Sequence, residues 1–301
     1  MVAEAILTEI EAALRGEVRT SEPMSRHTTW RIGGPADLFV RPLDREDLLV
    51  ALRLLEELQL PWQVIGNGSN LLVQDGGIRG AVIHLGRLDR LDFSQAPLVN
   101  AEAGLRLMTL VRETSRRDLG GLERLAGIPG TLGGAVAMNA GAGGQELGRL
   151  VRTVVLAGPE GEEQWTAEQL RFAYRSARLP ANRVVVAAQL KLVEAEGAVL
   201  QLEIKERLQQ RRRSQGVGRP NAGSVFKNPP GEQAWKLIDR AGMRGAMVGG
   251  ARVSERHSNF IVNGGSASAT DVLTLMAQIQ DRVFRQSGIT LEPEVRIVGE
   301  P

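Results

Sequence analysis

With 301 residues, 43% hydrophobic and 24% charged, the chain has an ordinary globular composition, which excludes disordered, collagen-like and coiled-coil architectures. It contains no cysteine, so a disulfide framework, a thiolate metal site, an iron–sulfur cluster and a thiol nucleophile are all excluded, and its three histidines (His27, His84 and His257) are too scattered to suggest a zinc site. A formal charge of +2 with only 4% aromatics disfavours nucleic-acid binding by either charge or base stacking, whereas 35 glycines invite a search for loops that bind through backbone.

In chain order, residues 1–15 form a predicted amphipathic helix with Ile6, Leu7, Ile10 and Leu14 on one stripe; Glu4, Glu9 and Glu11 make it a poor signal sequence. Residues 36–41 read as a strand, and residues 44–58 as a helix capped by Asp44 and stopped by Pro61. A strand at 63–65 runs into Gly66-Asn67-Gly68-Ser69-Asn70, followed by strands at 71–73 and 81–85. Next come a helix at 107–117, a glycine-rich tract at 127–144, and strands near 151–157 and 184–192. Residues 125–145 carry no charge over 21 residues, but seven glycines and one proline within them argue against a membrane helix, and the protein is expected to be cytoplasmic. A charged helix at 202–213 leads to a break marked by Gly216, Gly218 and Pro220. Beyond it lie a helix at 233–241 closed by Gly242, a strand at 259–262, a long helix at 270–286 and a final strand at 294–298 that returns to an earlier part of the chain.

Five motifs carry chemistry. Gly66 to Asn70 brings backbone N–H groups together on an anion, with Ser69 and Asn70 adding donors, although a hairpin turn uses the same residue types. It lacks the third glycine of a dinucleotide fingerprint and the lysine of a P-loop. Gly127-Ile128-Pro129-Gly130-Thr131-Leu132-Gly133-Gly134 suits a helix whose first amides face a phosphate or ring edge. Arg175 beside Tyr174 is a candidate fork for a substrate carboxylate, against the commoner fate of a solvated arginine. Ser224, within Asn221-Ala222-Gly223-Ser224-Val225-Phe226-Lys227-Asn228-Pro229, lacks a nucleophile elbow but can relay a proton; the competing reading is a turn serine bonded to its own backbone. Glu292 and Glu294 share one side of a strand start, while Arg211-Arg212-Arg213 reads as a wet helix face.

Taken together and in this order, these motifs resemble the UDP-N-acetylenolpyruvoylglucosamine reductase family of peptidoglycan precursor synthesis, over nearly the whole chain from Thr29-Trp30-Arg31-Ile32-Gly33-Gly34 to Leu291-Glu292-Pro293-Glu294-Val295-Arg296. The resemblance implies an α+β protein. A two-subdomain FAD-binding fold of the vanillyl-alcohol-oxidase type would span 1–85 and 86–205, with a sugar-nucleotide domain at 206–295 and residues 296–301 returning to the first part. It implies FAD cradled by Gly66, Asn67, Gly68, Ser69 and Asn70, by Ile128, Gly130, Thr131, Gly133 and Gly134, and by Asn139, Gly141 and Ala142. NADPH would supply hydride to the flavin, which passes it from N5 to the methylene carbon of the enolpyruvyl sugar nucleotide. Arg175 would hold the carboxylate, Glu294 would stabilise the enolic charge as a protonated donor, and Ser224 would deliver the final proton, with Lys227 or a water assisting. Tyr174, Arg212, Lys227 and Asn228 are the implied substrate contacts. Only one tyrosine exists, so the chain is similar to the shorter form of the family, without an inserted tyrosine loop. A monomer is expected. The alternative is an FAD-linked oxidase of a small alcohol on the same scaffold.

Overall fold

The computed structural model describes residues 4–216 and 218–301, so the first three residues of the predicted N-terminal helix lie outside the described residues. Helix α1 (Glu4–Ala13) buries Ile10. Strand β1 (Glu17–Pro23) follows, which the sequence did not announce. Strand β2 (Pro35–Arg41) precedes helix α2 (Arg45–Glu57), whose predicted cap is formed: the Asp44 carboxylate accepts from the Asp47 amide at 2.9 Å. Then come β3 (Trp62–Ile65), β4 (Leu71–Val73) and β5 (Ile78–His84). Strands β1, β2, β5 and β3 form a four-stranded sheet in that order, with β3 and β5 parallel from Trp62↔Ala81 to Ile65↔His84. β1 lies at its edge, where charged residues are tolerated, and EVRTSEP therefore shows no apolar alternation to read.

The next stretch contains β6 (Leu91–Gln95), β7 (Leu98–Glu102), helix α3 (Leu107–Ser115), β8 (Leu119–Gly120) and the short helix α4 (Leu132–Ala137). It continues through β9 (Gly141–Ala142), β10 (Gln145–Glu146), β11 (Val151–Gly158), β12 (Gly161–Thr166) and helix α5 (Ala167–Leu170). It ends with β13 (Val184–Lys191), β14 (Val193–Glu194) and helix α6 (Gly197–Gln215). The central β11 and β13, apolar runs as expected, anchor an antiparallel five-stranded sheet ordered β12-β11-β13-β7-β6. Its two edge strands, β12 and β6, are largely polar and were not predicted.

The last part holds α7 (Ala234–Arg240), β15 (Met247–Val248), β16 (Ala251–Val253), β17 (Ile261–Asn263), α8 (Ala269–Ser287) and β18 (Arg296–Val298). A capping box between Ser268 and Asp271 starts α8, and Gly288 at φ 69° ends it. β18 pairs in parallel with β4, from Arg296↔Leu71 to Val298↔Val73.

Contacts divide the chain into two compact units, each with its own core. Unit 1 comprises Met1–Thr20, Leu38–Gly66 and Gly80–Arg211; unit 2 comprises Ser21–Asp37, Asn67–Arg79 and Arg212–Pro301. In unit 2 the fully buried Trp30 donates its indole N–H to the Ile261 carbonyl at 2.7 Å and accepts at its own carbonyl from Asn263 at 3.0 Å, tying an early segment into the C-terminal core. Among the described residues no helix is long and apolar enough to cross a membrane.

Candidate active site

In unit 1 the two glycine tracts meet. A Cβ on Gly66 would fall 2.3 Å from the Thr131 hydroxyl, so the end of β3 and the start of α4 touch only because residue 66 has no side chain. The tract is not arranged as expected, however. The Leu132 and Gly133 amides donate to the carbonyls of Leu105 and Ala103, both at 2.8 Å, and so do not face an anion. Gly133 is bare because a Cβ there would lie 2.8 Å from that of Ala103, so its requirement is packing. The open face belongs to Gly134, which is exposed and whose added Cβ would have only the Thr131 hydroxyl, at 3.8 Å, within contact range. Two glycines around one buried hydroxyl make a small surface suited to the close approach of a phosphate or flat ring, and the half-buried Gly130 at φ 123° and Ile128 lead into it. This surface fits FAD.

Asn139 is buried and engaged within the protein. It donates to the carbonyl of Ala173 at 2.9 Å and to the Glu146 carboxylate at 3.2 Å, and accepts from the Gly148 amide at 2.9 Å. Its side chain therefore pins the loop of β9 and β10 to the residue just before Tyr174-Arg175, and its contact with a cofactor is limited by that burial. Those two residues sit at the tip of a tight turn closed by reciprocal Ala173–Ser176 backbone bonds of 2.9 and 3.1 Å. Arg175 takes a left-handed conformation at φ 56°, uncommon for a non-glycine residue, and its guanidinium lies 5.0 Å from the centre of the exposed Tyr174 ring. Gly141 lies beside it: a Cβ there would be 3.4 Å from Arg175 Nη1. Ala142, half-exposed, follows in β9.

Unit 2 gathers the other half of the expected set. Val225 accepts from the Glu294 amide at 2.7 Å, Lys227 donates its amide to Glu292 at 2.9 Å, and Phe226 bridges Pro293, so the Ser224 segment and the Glu294 segment run antiparallel as neighbours. Asn70 joins them: its side-chain amide donates to the Glu294 carbonyl and its own carbonyl accepts from Arg296, both at 3.0 Å. Upstream, Gly68 is buried at φ 57°, while Asn67 is exposed and Ser69 half-buried. Ser224 is half-buried, and its hydroxyl has no hydrogen-bond partner among the described residues; Asn221 instead closes the turn by accepting from the Gly223 amide at 2.9 Å. The alternative of a turn serine bonded to its own backbone is not formed. Lys227 Nζ is 3.3 Å from Glu292, Asn228 accepts from the Ala234 amide at 3.0 Å at the start of α7, and Arg212 is exposed on α6. Glu292 is exposed and Glu294 half-buried, so the two carboxylates do not share one environment as strand alternation suggested.

Residues 36–166 match a family described as FAD binding domain, and residues 215–298 match UDP-N-acetylenolpyruvoylglucosamine reductase, C-terminal domain. A UDP-N-acetylenolpyruvoylglucosamine reductase of Syntrophotalea carbinolica is 52% identical over 95% of this chain and 96% of its own, and one from Geobacter metallireducens is 48% identical over 98% of each. The chain belongs to this reductase family. The crystal structure of the Thermus caldophilus reductase, 36% identical, superimposes with a TM-score of 0.81 over 94% of this chain and 99% of that one. As a family member the chain is a flavoprotein oxidoreductase of peptidoglycan biosynthesis with an FAD-binding domain of mixed helix and strand and the family's own C-terminal domain.

Sequence reasoning missed one residue that organises the segment after Ser224. Asn259 donates to the Phe226 carbonyl at 2.8 Å and accepts from its amide at 3.0 Å, while its own carbonyl accepts from Val225 at 2.8 Å. These three bonds clamp the residues that follow Ser224. Asn259 and Phe226 lie 33 positions apart, and nothing in the sequence distinguishes Asn259, at the start of the predicted strand, from any other asparagine.

Proposed function

We infer that the protein reduces UDP-N-acetylglucosamine enolpyruvate to UDP-N-acetylmuramate, taking hydride from NADPH and a proton from the protein. Bound FAD supplies the hydride relay, which a side chain cannot provide. We assign the residues that would hold it to Gly66 through Asn70, Ile128, Gly130, Thr131, Gly134, Gly141 and Ala142, with Gly133 and Asn139, engaged within the protein, shaping the tract from behind. Residues 1–85 and 86–205 form the flavin-binding parts and 206–295 the sugar-nucleotide part. The protein acts as a cytoplasmic monomer without a nucleic-acid partner.

Adding hydride to the methylene carbon leaves negative charge on the carbon beside the carboxylate. Arg175, held at a turn tip, grips that carboxylate and draws charge onto its oxygens. Glu294, acting as a protonated donor, stabilises the same charge. Ser224 then gives its proton to the carbon, completing the lactyl ether. Tyr174, Arg212, Lys227 and Asn228 hold the sugar nucleotide. Lys227 reaches Glu292 at 3.3 Å, so any help it gives Ser224 requires leaving that exposed ion pair, which costs little. The observation that carries this reading is the Val225–Glu294 pairing, which sets Ser224 and Glu294 on adjacent segments beside Asn70. The oxidase alternative has only a shared FAD-binding fold in its favour.

The test separates the two half-reactions. In Ser224→Ala, NADPH bleaches the flavin absorbance at the wild-type rate, and the enolpyruvyl substrate then fails to restore it. Restoration at the wild-type rate removes Ser224 from the reaction.

A further inference from the structure

Helix α6 carries Arg207 and Arg211 one turn apart on one face. Both lie against glycine backbone of the 127–144 tract. A Cβ on Gly143 would fall 2.7 Å from Arg207 Nη1, and a Cβ on Gly127 would fall 2.8 Å from Arg211 Cδ and 3.1 Å from its Nε. Both glycines have left-handed backbone, at φ 58° and 82°. Two separate loops thus give up side chains where two guanidinium groups lie.

Neither arginine pairs with a carboxylate among the described residues, and Arg207 Nε is buried without a hydrogen-bond partner. Other arginines of this chain are matched: Arg45 with Glu162, Arg183 with Glu160 and Glu163, Arg244 with Asp239, Arg252 with Glu255. Burial disfavours the charged form of Arg211, and the neighbouring Arg207 charge adds to that, holding its pKa below the ordinary arginine value. Two half-buried like charges without a counter-ion are a cost that a bound anion removes. A single carboxylate would leave one positive charge uncompensated. A phosphate or diphosphate carries charge enough for both and offers several oxygens to two planar forks.

We propose that Arg207 and Arg211, packed on Gly143 and Gly127, form a binding site for a phosphate or diphosphate group. The identity of its source rests on the function inferred above, which brings FAD, NADPH and a uridine diphosphate sugar to the protein; the anion site itself does not.

Inorganic pyrophosphate is titrated calorimetrically into the flavin-loaded protein and into its Arg207→Gln, Arg211→Gln and corresponding lysine variants. Flavin content and the affinities for NADPH, NADH and the UDP-sugar are measured alongside. Each glutamine variant is expected to weaken at least one phosphate ligand by about tenfold or more, with lysine recovering part of the loss because it keeps charge without the fork. Weakened NADPH with unchanged NADH identifies the extra phosphate of the reduced dinucleotide. Weakened UDP-sugar alone identifies the sugar diphosphate, and lost flavin alone identifies the diphosphate of FAD. Unchanged pyrophosphate binding, flavin content and nucleotide affinities in both glutamine variants overturn the proposal. A wild-type protein that binds pyrophosphate through these arginines yet never reduces the enolpyruvyl substrate overturns the functional reading and leaves the anion site standing.

Discussion

A glycine in this chain is explained by what its missing Cβ would strike. At Gly68 a Cβ would fall 2.2 Å from the His27 carbonyl and 2.8 Å from Thr28 Cα, both rigid backbone atoms, in a left-handed conformation. Gly68→Ala is expected to destabilise the protein by about 2 kcal/mol or more and to lower flavin content, read from a denaturant midpoint and the absorbance ratio. An unchanged midpoint would mean the loop can move aside freely. His257 makes a pH-dependent contribution. Its ring lies 4.6 Å from the Phe260 centroid and 6.2 Å from that of Trp235, with Nδ1 buried and unpartnered. Burial pulls its pKa below the ordinary 6.5; the Asp239 carboxylate opposes this and Arg244 reinforces it. A folded pKa below the unfolded one means that the unfolded chain binds the proton more readily. The contribution is therefore complete above the unfolded value and is lost as pH falls through the window below it. Melting temperature should decline as pH falls below the ordinary histidine value of 6.5, and His257→Gln should flatten that part of the curve.

Between elements, what matters is which segments are held in register. Asn259 in the loop before β17 clamps Val225 and Phe226, and Val225 in turn holds the Glu294 amide. Asn259→Asp keeps the shape and the acceptor but loses the donor and sets a carboxylate against the Phe226 carbonyl. Substrate-driven reoxidation of the flavin should slow by about tenfold or more while NADPH-driven reduction is unchanged. Equal slowing of both half-reactions would indicate a general loss of structure instead. The same view explains Asn139, whose three bonds fix the segment leading to Arg175.

At the scale of the whole chain, unit 2 is assembled from three separate runs of sequence. Its core includes Trp30, Ile32 and Leu72 together with the C-terminal helices, and β18 has β4 as its only pairing partner among the described strands. Residues 212–301 expressed alone would leave that apolar surface and the β18 edge uncovered. The fragment is expected to lack a cooperative thermal transition and dispersed amide resonances, whereas the full chain shows both. A well-folded fragment would show that the early segments are accessory.

Local chemistry was enough to read several features from the residues alone. Asp44 starts α2, Gly242 ends α7, and the apolar runs of β11 and β13 are central strands. Each depends on a cap, a left-handed residue or a period contained within a few positions. The edge strands β1, β6 and β12 were illegible because a strand paired on one side needs little apolar alternation. The glycine tracts and the residues of the site were visible as residue types, but their partners were not. That Gly133 packs on Ala103, that Asn139 is spent on Ala173 and Gly148, and that Arg211 of a supposed wet face lies on Gly127 follow from contacts between positions far apart in the chain. Only the folded chain sets which atoms fill the space beside them.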